Sequence, residues 1–418
     1  MNKKKTASLG MFTRIVGSQG FVSVLSVLIA FAIGAILIAA TGASVTDAYY
    51  AMFRGAIVDP QASTFMRAIK PLTDSVFFGI PLIISGLGLA FGFRAGLFNI
   101  GGKGQMIVGA LAAVWVGFSM SLPPVVHTFV AVAAAIIAGA AYAGIAGVLK
   151  AKTGANEVIV TIMLNSIAVL GLGYVLSQPS WQRPGSNQPV TPNVAETAAF
   201  AKFFDGPIKL HSGIIVALVA LVIFWWLMER STLGFQIRVV GANPAAARTA
   251  GISVERITAV TMLFSGAFLG LAGANEALGT VGYVSRDIAG SIGFDAITVA
   301  LLGRNKPLGT LGAGILFGAF KAGGYTMQAK GVPIDMILIL QSVIVLLIAA
   351  PMLVRWLFHL PKETKKSLRA ELAELSGENP EENGKTPAMA SVVKEDAASE
   401  GGDATIDGAS TDTEGEAR

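Results

Sequence analysis

The chain has 418 residues, of which 53% are hydrophobic and 14% charged; its net charge is +5, its mean hydropathy +0.65, and it contains no cysteine. An average soluble domain carries roughly 25% charged residues, so a single aqueous fold could not hide this much apolar surface, and the bilayer is the expected solvent. Disulfide frameworks, thiolate nucleophiles and cysteine-ligated zinc are excluded, and His127, His211 and His359 lie too far apart along the chain to suggest a local metal motif.

In chain order, residues 1–19 form a basic N-terminus in which Lys3, Lys4, Lys5 and Arg14 precede the first apolar run, 20–41. At about 20 residues this run exceeds the ~7–15 of a cleavable signal, and it reads as an uncleaved anchor whose basic flank stays in the cytoplasm. Further apolar runs follow at 73–93, 105–121, 125–149, 156–178, 212–229, 256–279, 308–328 and 334–354. Nine crossings would leave the termini on opposite sides. A second basic cluster after the last run, Arg355, Lys362, Lys365, Lys366 and Arg369, argues instead for an even number. The glycine-broken stretch 286–303 supplies the tenth, as a short or bent crossing shielded by its neighbours. Lys150 and Lys152, Arg230 to Arg256, and Arg304 and Lys306 then share the cytoplasm with both termini, while the polar connection 179–211 lies outside. The expected fold is therefore all-α, a polytopic transmembrane helical bundle of about ten spans over residues 20–358. Small-residue pairs such as Gly266 and Gly270, or Gly314 and Gly318, suit close helix packing in lipid.

Residues 359–418 form a cytoplasmic, largely disordered tail. From Glu371 onward it holds 13 acidic and 3 basic residues, which leaves 28 basic and 13 acidic residues, a balance of +15, in the rest of the chain.

Four features bear on chemistry. The phosphate-cradling pattern G-x-x-x-x-G-K-[ST] is absent; Gly384-Lys385-Thr386 imitates its end, but Asn379 occupies the place of the first glycine. Any energy from ATP must come through a partner. The stretch GFRAGLFNIGGKGQM, Gly92 to Met106, interrupts two apolar runs with Arg94, Asn99, Lys103 and Gln105, either as a broken helix lining a path or as a turn between spans. Glu157, Thr161 and Asn165 recur every four residues along one helix face behind a candidate cap at Asn156; this polar stripe either faces a pathway or bonds to a neighbouring helix. Between the sixth and seventh runs, Asn243 caps, Pro244 starts and Gly251 stops a short helix, and Phe235, Ile237 and Val239 before it offer apolar contacts to a protein partner or to the headgroups. The candidate carboxylates of an ion-coupled carrier, Asp74, Glu157, Glu276 and Asp295, all fall near ends or breaks of spans, and neither paired catalytic acids nor a Ser/His arrangement suggests an intramembrane enzyme.

The segments GLFNIGGKGQMIVGALAA, GANEVIVTIMLN, LGFQIRVVGANPAAARTAGI and ALLGRNKPLGTLGAGILFG, in this order, resemble permease subunits of ATP-binding-cassette importers of the branched-chain amino acid, ribose and nucleoside group, most of all its nucleoside branch. The likeness covers roughly residues 20–355. It implies a multi-pass bacterial cell-membrane permease that forms the translocation path, binds no cofactor itself, and uses ATP only through a cytoplasmic ATPase. A second related permease, an extracytoplasmic solute-binding lipoprotein and membrane lipids are the other implied partners; nucleic acid is not. It further implies that residues 230–252 dock on the ATPase, with Phe235, Arg238, Gly241, Asn243, Pro244, Ala247 and Gly251 transmitting its closure, and that Asn99, Gln105, Glu157, Thr161 and Asn165 sit near the path. Relatives commonly have an acidic residue where this chain has Lys103. The resemblance leaves ribose or another sugar open as substrate, and an ion-coupled secondary transporter is the alternative from a different class.

Overall fold

The computed structural model describes residues 19–358 apart from Ile334 and Ala350. The basic N-terminus before residue 19 and the acidic tail expected over 359–418 lie outside the described residues. The elements are α1 (Gln19–Ala40), α2 (Val45–Ala56), α3 (Phe65–Arg94), α4 (Gly102–Ser119), α5 (Val126–Thr153), α6 (Glu157–Val175), α7 (Gly213–Arg230), α8 (Thr232–Ala242), α9 (Pro244–Thr249), α10 (Val254–Asn275), α11 (Ile292–Leu302), α12 (Pro307–Gln328), α13 (Asp335–Ala349) and α14 (Pro351–Leu357). Among the described residues there is no strand, only an isolated bridge between Lys202 and His211. Five helices, α3, α5, α6, α7 and the element running from Val254 to Thr280, are long and apolar enough to cross a membrane. Shorter apolar helices include Ile292–Leu302. The chain is an all-α membrane bundle.

Burial sorts the long helices. The apolar windows of α3 and of the Val254–Thr280 element are 83% and 67% buried, against 33%, 22% and 28% for α5, α6 and α7. The first two form the protein-lined centre, and the other three leave apolar side chains such as Phe129, Leu170 and Trp226 exposed to the surroundings that lipid fills. Small residues permit the central contacts: a Cβ on Gly139 of α5 would fall 2.4 Å from the Gly266 carbonyl oxygen of α10, and one on Gly318 of α12 would fall 2.1 Å from that of Ser75 on α3.

Several boundaries differ from the apolar runs, each for a physical reason. Helix α3 starts at Phe65 rather than near residue 73, because Lys70 and Asp74, four residues apart, pair with each other and carry charge into the first turns. Helix α2 is not visible as an apolar run; it is amphipathic, and the Ser44 hydroxyl caps it by accepting from the Asp47 amide at 3.3 Å. The last run divides into α13 and α14, the second opened by Pro351, which has no amide hydrogen to donate. Of the expected tenth crossing only the 11 residues of α11 are helical. The irregular approach to it is shielded within protein: Val284, Ile288 and Ala289 are buried, the Val284 amide donates to Thr191 Oγ1 at 2.9 Å, and Thr191 returns its own amide to the Val284 carbonyl at 3.0 Å. Before that segment, α10 ends in a π-helical turn, Glu276–Thr280.

Candidate functional site

The interruption after α3 is a built structure. At its start the chain reverses at Gly96, whose φ of +73° is left-handed, and the Leu97 amide donates back to the Gly92 carbonyl at 2.9 Å. The segment then runs without helical bonds to α4 and is held by side chains. Asn99 and Gln105 exchange amide hydrogen bonds of 3.0 and 3.1 Å, and Asn99 also donates to Ser265 Oγ of α10 at 2.9 Å. From α6, Glu157 Oε1 accepts from the Phe98 amide at 3.3 Å, Thr161 Oγ1 from the Ile100 amide at 3.2 Å, and Asn165 Oδ1 from the Gly104 amide at 2.7 Å. Asn165 Nδ2 donates to the Ile100 carbonyl at 2.8 Å, and Lys150 neutralises Glu157 at 2.6 Å. The polar stripe of α6 is thus a ladder that satisfies the unpaired backbone of the break, which buried backbone requires. The structure brings all five of Asn99, Gln105, Glu157, Thr161 and Asn165 together in one buried network.

At the same end of the bundle lies the 230–252 segment. Ser231 caps α8 by accepting from the Gly234 amide at 3.0 Å, and Asn243 caps α9 through the Ala245 and Ala246 amides at 3.0 and 3.1 Å. Pro244 is the first residue of α9, and Gly251 beyond its end has φ +76°. Ala247 is the buried residue of α9, fully enclosed, while Phe235 of α8 is 56% exposed. Gly241 rests on the turn after α3, where a Cβ would come 2.1 Å from the Arg94 carbonyl oxygen. Arg94 clamps this corner: its guanidinium pairs with Glu229 at 2.7 Å, donates to the Asn305 carbonyl at 2.9 Å, and lies 5.9 Å from the centre of the Phe224 ring. Arg238 keeps a buried guanidinium nitrogen, Nη1, without a hydrogen-bond partner.

The opposite end holds a cavity of about 1300 Å³, bordered by the start of α3, residues 202–209 and the end of α12. Ion pairs of Arg54 with Asp59, at 2.5 Å, and of Lys70 with Asp74 stand around this mouth. Deeper in, Tyr325 lines both the mouth and a cleft of about 180 Å³ between α3, α11, α12 and α13. The Tyr325 ring lies 5.5 Å from that of Phe78, and Lys321 Nζ stands 5.4 Å from the same Phe78 ring. Asp295, in the first turn of α11, accepts from Ser291 Oγ at 2.7 Å. Lys321 makes no ion pair among the described residues, although Glu276 and Asp295 are both within reach of its charge. Placing a lysine within a span costs ~2.5–3.5 kcal/mol on insertion scales, of which a ring contact returns about 0.5–2 kcal/mol.

Residues 72–349 match the family described as branched-chain amino acid transport system / permease component. The chain belongs to this family. The permease is 38% identical over 341 residues, 81% of its own length and 95% of the relative's, to the guanosine ABC transporter permease protein NupP of Bacillus subtilis. It is 36% identical over 77% of its length and 85% of the relative's to the glucose ABC transporter permease protein TsgB13 of Haloferax volcanii. To the nucleoside ABC transporter permease protein NupB of Lactococcus lactis it is 30% identical, over 83% and 95%. A second, more distant permease of Bacillus subtilis, NupQ, is 28% identical over 60% of the chain. No solved structure matches. The permease is accordingly a transport component of an ABC system and not an enzyme.

Sequence reasoning did not single out Lys321, Asp295 as part of a cleft, or the Phe78–Tyr325 pair. For Lys321 a signal was present: it is the lone charge in the apolar run 308–328. For the aromatic pair there was none, because its members lie on α3 and α12, almost 250 positions apart in the chain.

Proposed function

We propose that this permease forms, with a second related permease, the nucleoside path of a bacterial ABC importer. A separate cytoplasmic ATPase drives it and an extracytoplasmic solute-binding lipoprotein loads it. The observation that carries this reading is the likeness to a guanosine permease across almost the whole of that protein. The pairing of two permeases is supported by NupP and NupQ, two guanosine permease proteins of one organism that both resemble this chain. On this reading there are ten crossings, with the broken 286–303 stretch as one of them and both termini in the cytoplasm; the basic loops at one end of the bundle support that orientation. The corner with α8 and α9 then faces the ATPase, and Phe235, Arg238, Gly241, Asn243, Pro244, Ala247 and Gly251 relay its closure. Asn99, Gln105, Glu157, Thr161 and Asn165 hold the break beside the path as positioning residues.

A sugar substrate is the second reading, favoured by the likeness to a glucose permease. The test is uptake of labelled guanosine by cells expressing the complete transporter, with adenosine, uridine, ribose and glucose as competitors. Nucleoside-selective competition that vanishes when the ATPase loses its phosphate-loop lysine is the expected result. Uptake that persists without ATP hydrolysis overturns the importer reading, and uptake blocked by glucose but not by nucleosides establishes the sugar reading in its place.

A further inference from the structure

The cleft beneath the mouth has properties that neither packing nor a lipid-facing groove explains. It adjoins a further cavity of about 360 Å³ with which it shares Asp295, Phe317, Leu338 and Gln341, so open space continues from Tyr325 along α11, α12 and α13. Two charged groups, Asp295 and Lys321, border it, and charged groups inside a membrane protein face water, solute or each other rather than lipid. They do not pair with each other among the described residues. Gln341 is 9% exposed, lines both cavities, and makes no hydrogen bond with any described residue. Its amide is reached from the open space of both cavities and is free to engage a ligand there. Helix α11 also begins here, with Ser291, Ile292 and Asp295 of its first turn lining the cleft.

We propose that this cleft is the permease's solute-recognition site and that it takes a nucleoside, the base against the Tyr325 ring that lines it and the ribose hydroxyls between Asp295, Lys321 and Gln341. The proposal rests on the nucleoside reading above. The chemistry divides cleanly: aromatic side chains stack on any flat base, the carboxylate accepts from hydroxyls, the ammonium donates to them, and the amide does both. A monosaccharide could use the polar groups but would leave the Tyr325 ring without a flat partner. Tyr325, lining both mouth and cleft, is the point at which a solute entering from the mouth first meets this set.

The chain has no cysteine, so Gln341→Cys introduces a single thiol into it. In the assembled transporter, modification of that thiol by a small methanethiosulfonate reagent should slow at least fivefold with saturating guanosine during turnover; equal rates with and without guanosine overturn the proposal. In uptake assays normalised to complex yield, Lys321→Met should raise KM for guanosine at least tenfold, and Lys321→Arg should recover most of the loss. Tyr325→Leu should erase the advantage of guanosine over ribose as competitor. A KM within twofold of wild type for both Lys321→Met and Tyr325→Leu defeats the cleft while leaving the nucleoside function intact, and wild-type transporter that takes up no nucleoside defeats both.

Discussion

Replacing Gly241 by alanine tests whether the 230–252 corner is mechanically tied to the bundle. A Cβ there falls 2.1 Å from the Arg94 carbonyl oxygen and 2.9 Å from two backbone carbons, those of Arg94 and Ala95. All three obstacles are backbone, so no side-chain rotation relieves them, and α8 must retreat from the turn by about 1 Å to reach an ordinary contact. Two effects oppose. Alanine is favoured over glycine in a helix by ~1 kcal/mol, while forcing an extra carbon into a packed contact costs ~1–3 kcal/mol. The clamp of Arg94 on Glu229 and on the Asn305 carbonyl resists the retreat, which puts the steric cost toward its upper end and the net loss at up to about 2 kcal/mol. Gly171→Ala in α6 is the control, since a Cβ there meets nothing within 4 Å. The assays are the melting temperature of the purified complex and solute molecules moved per ATP hydrolysed. Gly241→Ala should melt lower than wild type and transport less per ATP, because α9 and the exposed Phe235 shift with α8; Gly171→Ala should do neither. Equal melting points and equal coupling for the two variants would refute the reasoning.

Asn165→Leu removes the partner of two backbone groups, the Gly104 amide and the Ile100 carbonyl. At ~1–3 kcal/mol for each buried group left unmade, the loss should reach a few kcal/mol and should appear as faster proteolysis or hydrogen exchange in residues 97–104. His211 is 1% exposed; its Nδ1 accepts from the Gly213 amide at 3.0 Å, and burial lowers its pKa from 6.5 to about 4. With the folded pKa depressed, the unfolded chain takes up the proton first. Stability is therefore unaffected above pH 6.5 and falls as pH drops from 6.5 toward 4, by about 2 kcal/mol at pH 5. The drop in melting temperature between pH 7.5 and pH 5 should be smaller in His211→Asn than in wild type; equal drops would show that this histidine is not held neutral.

Much of the architecture was legible because membrane partition is local. The apolar runs locate helices within a few residues, Asn243, Pro244 and Gly251 delimit α9 as their capping and turn preferences require, and the broken 286–303 stretch contains the short α11. What was not legible follows from non-local packing or from amphipathic pattern. Helix α2 carries no apolar run, and the early start of α3 depends on one ion pair offsetting two charges. Glu157, Thr161 and Asn165 could be read as a stripe, but not as a ladder, since the amides they serve lie about 60 positions earlier.

The sequence by itself determined that this protein lives in the bilayer, that its spans are helices and where its breaks fall, because hydrophobic transfer and capping act over a few neighbouring residues and nearly add. Only the tertiary structure decided how polar groups are spent. Asn99 reaches across 166 positions to Ser265, and Arg94 across 211 to the Asn305 carbonyl, whereas Lys321 and Gln341, on separate helices of one cleft, have no such partner among the described residues. A hydrogen bond needs its two atoms within about 3 Å, and which distant residues meet that condition is set by how whole helices pack.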